Sequence, residues 1–194
     1  LVDLEARKIR GFNERDPSLV STLPEKKNKI LISFAEVTSG GVGAKLQGAF
    51  RPRSYWEFDL KTGSKKLLIR GKILLGNIDF DGDGNPTLAR GFDLASREYL
   101  WFWRPENTGE WREFYRQSED AFEEFRVFGH DPQVPGNLIV EANRNANTSG
   151  LWSFDPDTKE FSELLYHRNG ACNVGWGYPN TVRFQKMALI MRHK

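Results

Sequence analysis

The stretch Asp79-Phe80-Asp81-Gly82-Asp83-Gly84-Asn85 sets carboxylates at alternating positions ahead of glycines, a pattern that can wrap a hard cation in oxygen ligands. Calcium would draw on Asp79, Asp81 and Asp83. An EF-hand loop, however, closes with a bidentate Glu at its twelfth position, and here that position is Arg90. Asp-Gly and Gly-Asn steps are also strong hairpin signals, because these residues accept positive φ. The bare hairpin is the favoured reading, with a weak cation site at Asp79, Asp81 and Asp83 as the alternative.

Nucleophilic catalysis needs a serine or cysteine beside a base. Cys172 is the sole thiol, so neither an intrachain disulfide nor a cysteine-built zinc cluster can form. It reads as a small apolar residue. The Gly-x-Ser-x-Gly elbow that presents a nucleophilic serine is missing. The nearest string, Thr38-Ser39-Gly40-Gly41, lacks the glycine two residues before Ser39 and reads as loop. His130, His167 and His193 fall near turns or the C-terminus and are not paired at metal-ligand spacing. Each reads as solvated or locally hydrogen-bonded. Trp101, Trp103 and Trp111 could form a stacking platform for a sugar or a peptide. Burial in a core is the plainer use, with Trp101 and Trp103 on one strand face and Phe102 on the other. No residue is expected to be catalytic, no cofactor is implied, and no binding residue stands out.

Charge is nearly balanced, with 28 Lys and Arg against 26 Asp and Glu interspersed along the 194 residues. A nucleic-acid footprint would need basic residues clustered on one face, so no nucleic-acid partner is expected. The longest apolar runs are about five residues, far short of the ~20 that span a bilayer as a helix, so no membrane partner is expected either.

The elements that carry these residues repeat. Tyr55-Trp56-Glu57-Phe58-Asp59-Leu60-Lys61-Thr62-Gly63 leads into Lys66-Leu67-Leu68-Ile69. Leu100-Trp101-Phe102-Trp103 passes through Asn107-Thr108-Gly109 into Trp111-Arg112-Glu113-Phe114-Tyr115. Leu151-Trp152-Ser153-Phe154-Asp155-Pro156-Asp157-Thr158-Lys159 leads into Phe161-Ser162-Glu163-Leu164-Leu165-Tyr166. Thr62, Thr108 and Thr158 recur at intervals of 46 and 50 residues. Self-similarity at this period marks stacked four-stranded blades. Leu1 to Arg10 reads as half a copy, which suggests a piece of something larger.

The expectation is an all-β chain, a partial β-propeller of about three four-stranded antiparallel blades with incomplete strands at both ends. It reads as a single domain over 1–194, with blades near 18–70, 71–117 and 122–168 and incomplete ends at 1–17 and 169–194. Ile73 to Phe80 is expected to open the second blade. Ala35 to Ser54, rich in glycine, reads as a long connection that should be the most mobile internal segment. Met187 to Met191 could be a strand or a short helix. Trp152 is expected at a recurring inter-blade core position, whereas Trp176 sits in a Gly-Trp-Gly context that promises no regular packing. An open arc exposes apolar blade faces and strand edges, so a homo-oligomer through those edges is expected.

The order of these motifs resembles the N-terminal propeller of prolyl oligopeptidase family serine peptidases, most like the acylaminoacyl- and dipeptidyl-peptidase branch. The resemblance rests on Trp56 to Gly63, on Trp152 to Lys159, and on Gly109 to Tyr115 followed by Phe125 to Asp131 and Leu138 to Asn143. It covers roughly residues 1 to 175. It implies a non-catalytic region that gates peptide access to a C-terminal α/β-hydrolase domain and docks on it, the catalytic residues lying in that domain. Some dipeptidyl peptidases hold the substrate amino terminus with a Glu pair in the propeller. Glu123-Glu124 stands here at the start of a strand, where alternation puts the two on opposite faces, so an ordinary strand start is favoured. A stand-alone propeller of the TolB type, acting as an interaction scaffold, is the alternative.

Overall fold

The computed structural model describes residues 2–3, 8–9, 16–36, 52–72, 74–105, 109–121, 125–144 and 149–167, with 2–3, 8–9 and 167 described by backbone alone. Residues 37–51 of the expected connection, together with Ser39, Glu123, Glu124, Cys172, Trp176, Met187 to Met191 and His193, lie outside them. Every regular element among the described residues is a strand.

Val2–Asp3 (β1) and Lys8–Ile9 (β2) pair antiparallel, where the half-copy was expected. Twelve further strands form three four-stranded antiparallel sheets. The first takes Ser18–Ser21 (β3), Lys29–Ala35 (β4), Arg53–Asp59 (β5) and Lys65–Arg70 (β6) in that order. The second takes Asn77–Phe80 (β7), Pro86–Asp93 (β8), Glu98–Trp103 (β9) and Arg112–Ser118 (β10). The third takes Phe125–His130 (β11), Leu138–Ala142 (β12), Gly150–Asp155 (β13) and Glu160–His167 (β14). Within each of these sheets, sequence neighbours are space neighbours, which makes each sheet a meander. The expected all-β class and blade-like sheets are present.

One boundary differs. Leu74 and Leu75 do not open β7, which begins at Asn77. Lys72 and Leu75 exchange two backbone hydrogen bonds of 3.0 and 2.9 Å in a tight turn, and Leu75 packs onto the core from there. An apolar run of this length fits a packed turn as well as a strand.

The central pairs β4–β5, β8–β9 and β12–β13 keep unbroken register. Extra residues fall on outer strands: Val20 on β3, Leu68 on β6, Phe128 on β11, and both Ser162 and Leu165 on β14. The β7–β8 pair instead places its extra residue, Thr87, on β8.

The chain divides into two compact units, Leu1–Trp111 and Arg112–Lys194. In the first, strand alternation buries both faces of the β4–β5 pair. Leu31 and Tyr55 join Leu23, Ile78 and Ala89 in one core, while Phe34 and Phe58 meet edge-on across the other face at 6.0 Å. In the second unit, Phe114 packs against Phe125 and Phe154, with centroids 6.4 and 5.8 Å away, and Tyr115 stacks on Phe125 at 3.6 Å. Phe128, Ile139 and Leu151 form a separate cluster. β12 is buried at every position, which explains its continuous apolar run Leu138-Ile139-Val140.

Trp101 and Trp103 are buried, and Phe102 packs on the first unit's core from the opposite face of β9, as alternation requires. Trp152 departs from expectation. It is only half-buried, and the fully buried aromatic of its cassette is Phe154. The indole N–H needs an acceptor, which it finds in the Ala142 carbonyl at 3.2 Å, and the Arg144 guanidinium covers the ring at 4.8 Å. Trp56 repeats the arrangement, with its N–H on Ser54 Oγ at 2.9 Å and Lys65 over the ring at 5.0 Å.

Candidate functional site

Five hairpins are opened by the same device. An aspartate at the end of a strand accepts, on Oδ1, the backbone N–H two residues on. Lys61 donates to Asp59, Asp83 to Asp81, Ala95 to Asp93, Gln133 to Asp131 and Asp157 to Asp155, all at 2.8 to 3.0 Å. The side chain thereby mimics a turn of the backbone and supplies an acceptor to amides that no strand pairs. The threonines that mark the repeat in sequence are secondary: Thr62 and Thr158 each donate a backbone N–H to the same aspartates. Lys159 holds φ at 63°, where the first cassette has Gly63 at 72°.

This device accounts for the Asp79–Asn85 stretch. Asp81 Oδ1 takes the N–H groups of Asp83 and Asn85, and its Oδ2 takes the Asn85 side-chain amide at 3.0 Å. Gly84, at φ 77°, sits against Leu23, with 3.0 Å between the place of a β-carbon and Leu23 Cδ2. Asp79 lies back on β7. It keeps accessible surface, yet the protein crowded around it pushes its carboxyl upward through desolvation. Among the described residues no group of three His, Cys, Asp or Glu side chains could hold a metal ion. Asp81 therefore serves the turn, while Asp79 and Asp83 are not brought together with it around a common centre.

The same geometry makes an acid-limb prediction. Two backbone N–H groups, with that of Thr62 the leading cause, and Lys29 at 3.0 Å hold Asp59 down to about 2. For Asp155, burial opposes the shift, but the N–H bonds from Asp157 and Thr158 outweigh it and lower its pKa. A depressed carboxylate contributes stability that is present above its unfolded value of about 3.9 and lost as pH falls through the folded one. The gap in melting temperature between the native chain and Asp59→Asn should therefore close between about pH 4 and pH 2. A gap that persisted unchanged at pH 2 would contradict the assignment.

Tyr55 is the polar group that sequence reading passes over. Its ring is buried in the first unit's core, and its hydroxyl accepts the Ile78 N–H at 2.9 Å and donates to the Gly76 carbonyl at 3.2 Å. One side chain of β5 thus satisfies the backbone that leads into β7. Desolvation raises its pKa, which keeps the phenol protonated and able to donate. Tyr55→Phe would strand a buried N–H and a carbonyl, so a loss of about 1–3 kcal/mol is expected from urea midpoints.

A polar set, buried at Asp131, Asn137 and Ser153 and reaching the surface at Ser162, spans the third sheet. Ser153, with no exposed surface, donates its hydroxyl to Asp131 Oδ2 at 2.8 Å. The Asn137 amide donates to Ser153 Oγ at 3.0 Å and to Ser162 Oγ at 3.1 Å, and Ser162 donates to the Ser153 carbonyl at 3.1 Å. Asp131 follows β11, Asn137 precedes β12, and the serines lie on β13 and β14, so the set bolts all four strands across the sheet. A serine beside an aspartate superficially suggests acyl transfer. Ser153 is sealed from substrate and bonded directly to the acid, with no imidazole between them, so the pair can position strands but not attack a carbonyl.

The remaining candidates stand apart. His130 ends β11 half-buried, and His167 ends β14. Trp101 and Trp103 serve the core, while Trp111 is half-buried against the first unit's cluster under Arg104 at 6.0 Å. The signal that could have found the structural set was present: an aspartate ends or directly follows the strand before each of the five turns. Among the described residues no helix is long and apolar enough to cross a membrane. Comparison with protein-family models and with curated proteins found no match.

Proposed function

We propose that this chain is the non-catalytic propeller region of a prolyl oligopeptidase family serine peptidase, gating peptide access to a separate α/β-hydrolase domain and docking on it. One observation carries the reading. The aromatic-Asp-turn cassette whose motifs resemble that family occupies the last two strands of the first and third four-stranded meanders, and its polar groups are spent on turns and registers. Such a region covers a reaction centre and contributes no bond-making group. The encoding gene provides the test. A Gly-x-Ser-x-Gly elbow within roughly 200–300 residues after Lys194 is expected. A stop codon soon after Lys194 would overturn the proposal in favour of a stand-alone scaffold of the TolB type. The chain by itself should not hydrolyse chromogenic aminoacyl or peptidyl substrates. Turnover that disappeared in Ser153→Ala would refute that expectation.

A further inference from the structure

We infer that the corner between Trp152 and Phe161 receives the arginine side chain of another peptide, and that Arg144 is its resident plug. Trp152 on β13 and Phe161 on β14 stand nearly perpendicular, at 80°, with ring centroids 5.8 Å apart. The Arg144 guanidinium lies over both rings, 4.8 Å from the indole and 4.5 Å from the phenyl centroid. Two π-faces meeting at one point suit a planar, weakly hydrated cation. The corner is also held in shape. The indole N–H is tied to the Ala142 carbonyl at 3.2 Å, and Phe161 packs edge-on against Phe154 at 5.1 Å and Phe125 at 6.4 Å. A replacement cation therefore finds the walls already formed. Both rings are half-buried, so the corner opens to solvent once Arg144 moves.

Each four-stranded sheet sets a cation over a pair of rings, but the three are not equally fastened. Lys65 lies over Trp56 at 5.0 Å and Phe34 at 5.9 Å, and Arg90 over Tyr99 at 4.4 Å and Trp101 at 5.2 Å. Both have further partners. Arg144 makes no hydrogen bond or ion pair among the described residues, so the two rings alone retain its guanidinium. The residue is exposed, and its φ of 38° is a left-handed conformation that costs any side chain with a β-carbon. Its release breaks no hydrogen bond and frees the backbone to relax. An incoming arginine brings the same guanidinium to the same rings without that strain. It has to displace Arg144, so its apparent affinity is reduced by the fraction of time the corner stands open.

Nuclear magnetic resonance of the full chain, read at the Trp152 indole N–H, tests this with acetyl-Gly-Arg-Gly-amide as the probe. The signal is identified by its loss in Trp152→Phe. In Arg144→Ala the probe should shift it saturably, with a Kd at least about tenfold below that of the native chain. The peptide with citrulline in place of arginine has the same shape without the charge, and should leave the signal where it is. Free arginine should bind no more tightly than the peptide. Phe161→Leu added to Arg144→Ala keeps the reporter and should abolish saturation. If that double variant unfolds, the citrulline comparison carries the test. Equal Kd values in the native chain and Arg144→Ala, no response in Arg144→Ala, or an equal response to citrulline would each overturn the inference. So would saturation that survives Phe161→Leu, or a clear preference for the free amino acid.

Discussion

Gly91→Ala is expected to cost about 3 kcal/mol or more, which lowers the melting temperature by roughly 6–12 °C for a chain of this size. Gly91 lies in the middle of β8, and the Lys72–Leu75 turn passes directly over it, so a β-carbon there would overlap the Leu74 carbonyl. The obstacle is backbone, which cannot swing aside as a side-chain tip can. It is also anchored: the Gly76 N–H donates to the Arg90 carbonyl at 3.0 Å, next to the crossing point. Gly136→Ala is the control. That glycine holds φ at 91° but has open space around it, so its loss should be the strain of a left-handed residue alone, about 1–2 kcal/mol. Equal losses at both positions in thermal melts would mean that the turn does not lie on β8.

Asp131→Ala should be the second largest, at about 2–4 kcal/mol. Removing the carboxylate strands the hydroxyl of Ser153, which has no exposed surface, and the Gln133 N–H. Asp155→Ala removes the same turn device where it caps no buried hydroxyl, and should cost about 1 kcal/mol or less. Asp131→Ala and Ser153→Ala together should fall short of the sum of the two by at least about 0.5 kcal/mol, because they remove one shared bond. Strict additivity in urea midpoints would show that the two groups act independently.

The strand plan was legible because it rests on local chemistry. The aromatic run Leu100 to Trp103, read as a strand leading into a turn, lies within β9 and ends with it at Trp103. The expectation that Trp101 and Trp103 share a face followed from the two-residue period of a strand and needed no knowledge of the partner. Trp152 failed for a reason of the same kind. The repeat marks an aromatic position, but whether that aromatic is core or rim depends on where its N–H finds an acceptor, and Ala142 is a cross-strand fact. The Asp131 set was hidden because its members, spread from 131 to 162, meet only once the sheet is folded. The Asp79–Asn85 stretch kept two readings because cation loops and hairpins use the same residues, and it takes the bonds on Asp81 to distinguish them.

The supernumerary residues on the outer strands bear on how a tandem chain finds its own partners during synthesis. Three similar cassettes in one polypeptide invite a strand from one repeat to enter the sheet of another, a characteristic failure of repetitive proteins. The central pairs are interchangeable in outline, each running unbroken. The outer strands are not: β6 slips once, at Leu68, and β14 slips twice, at Ser162 and Leu165. A strand laid against the wrong neighbour would carry its slip out of step, leaving amides unmatched and apolar side chains turned to water. These irregularities therefore distinguish the outer strands of similar repeats from one another.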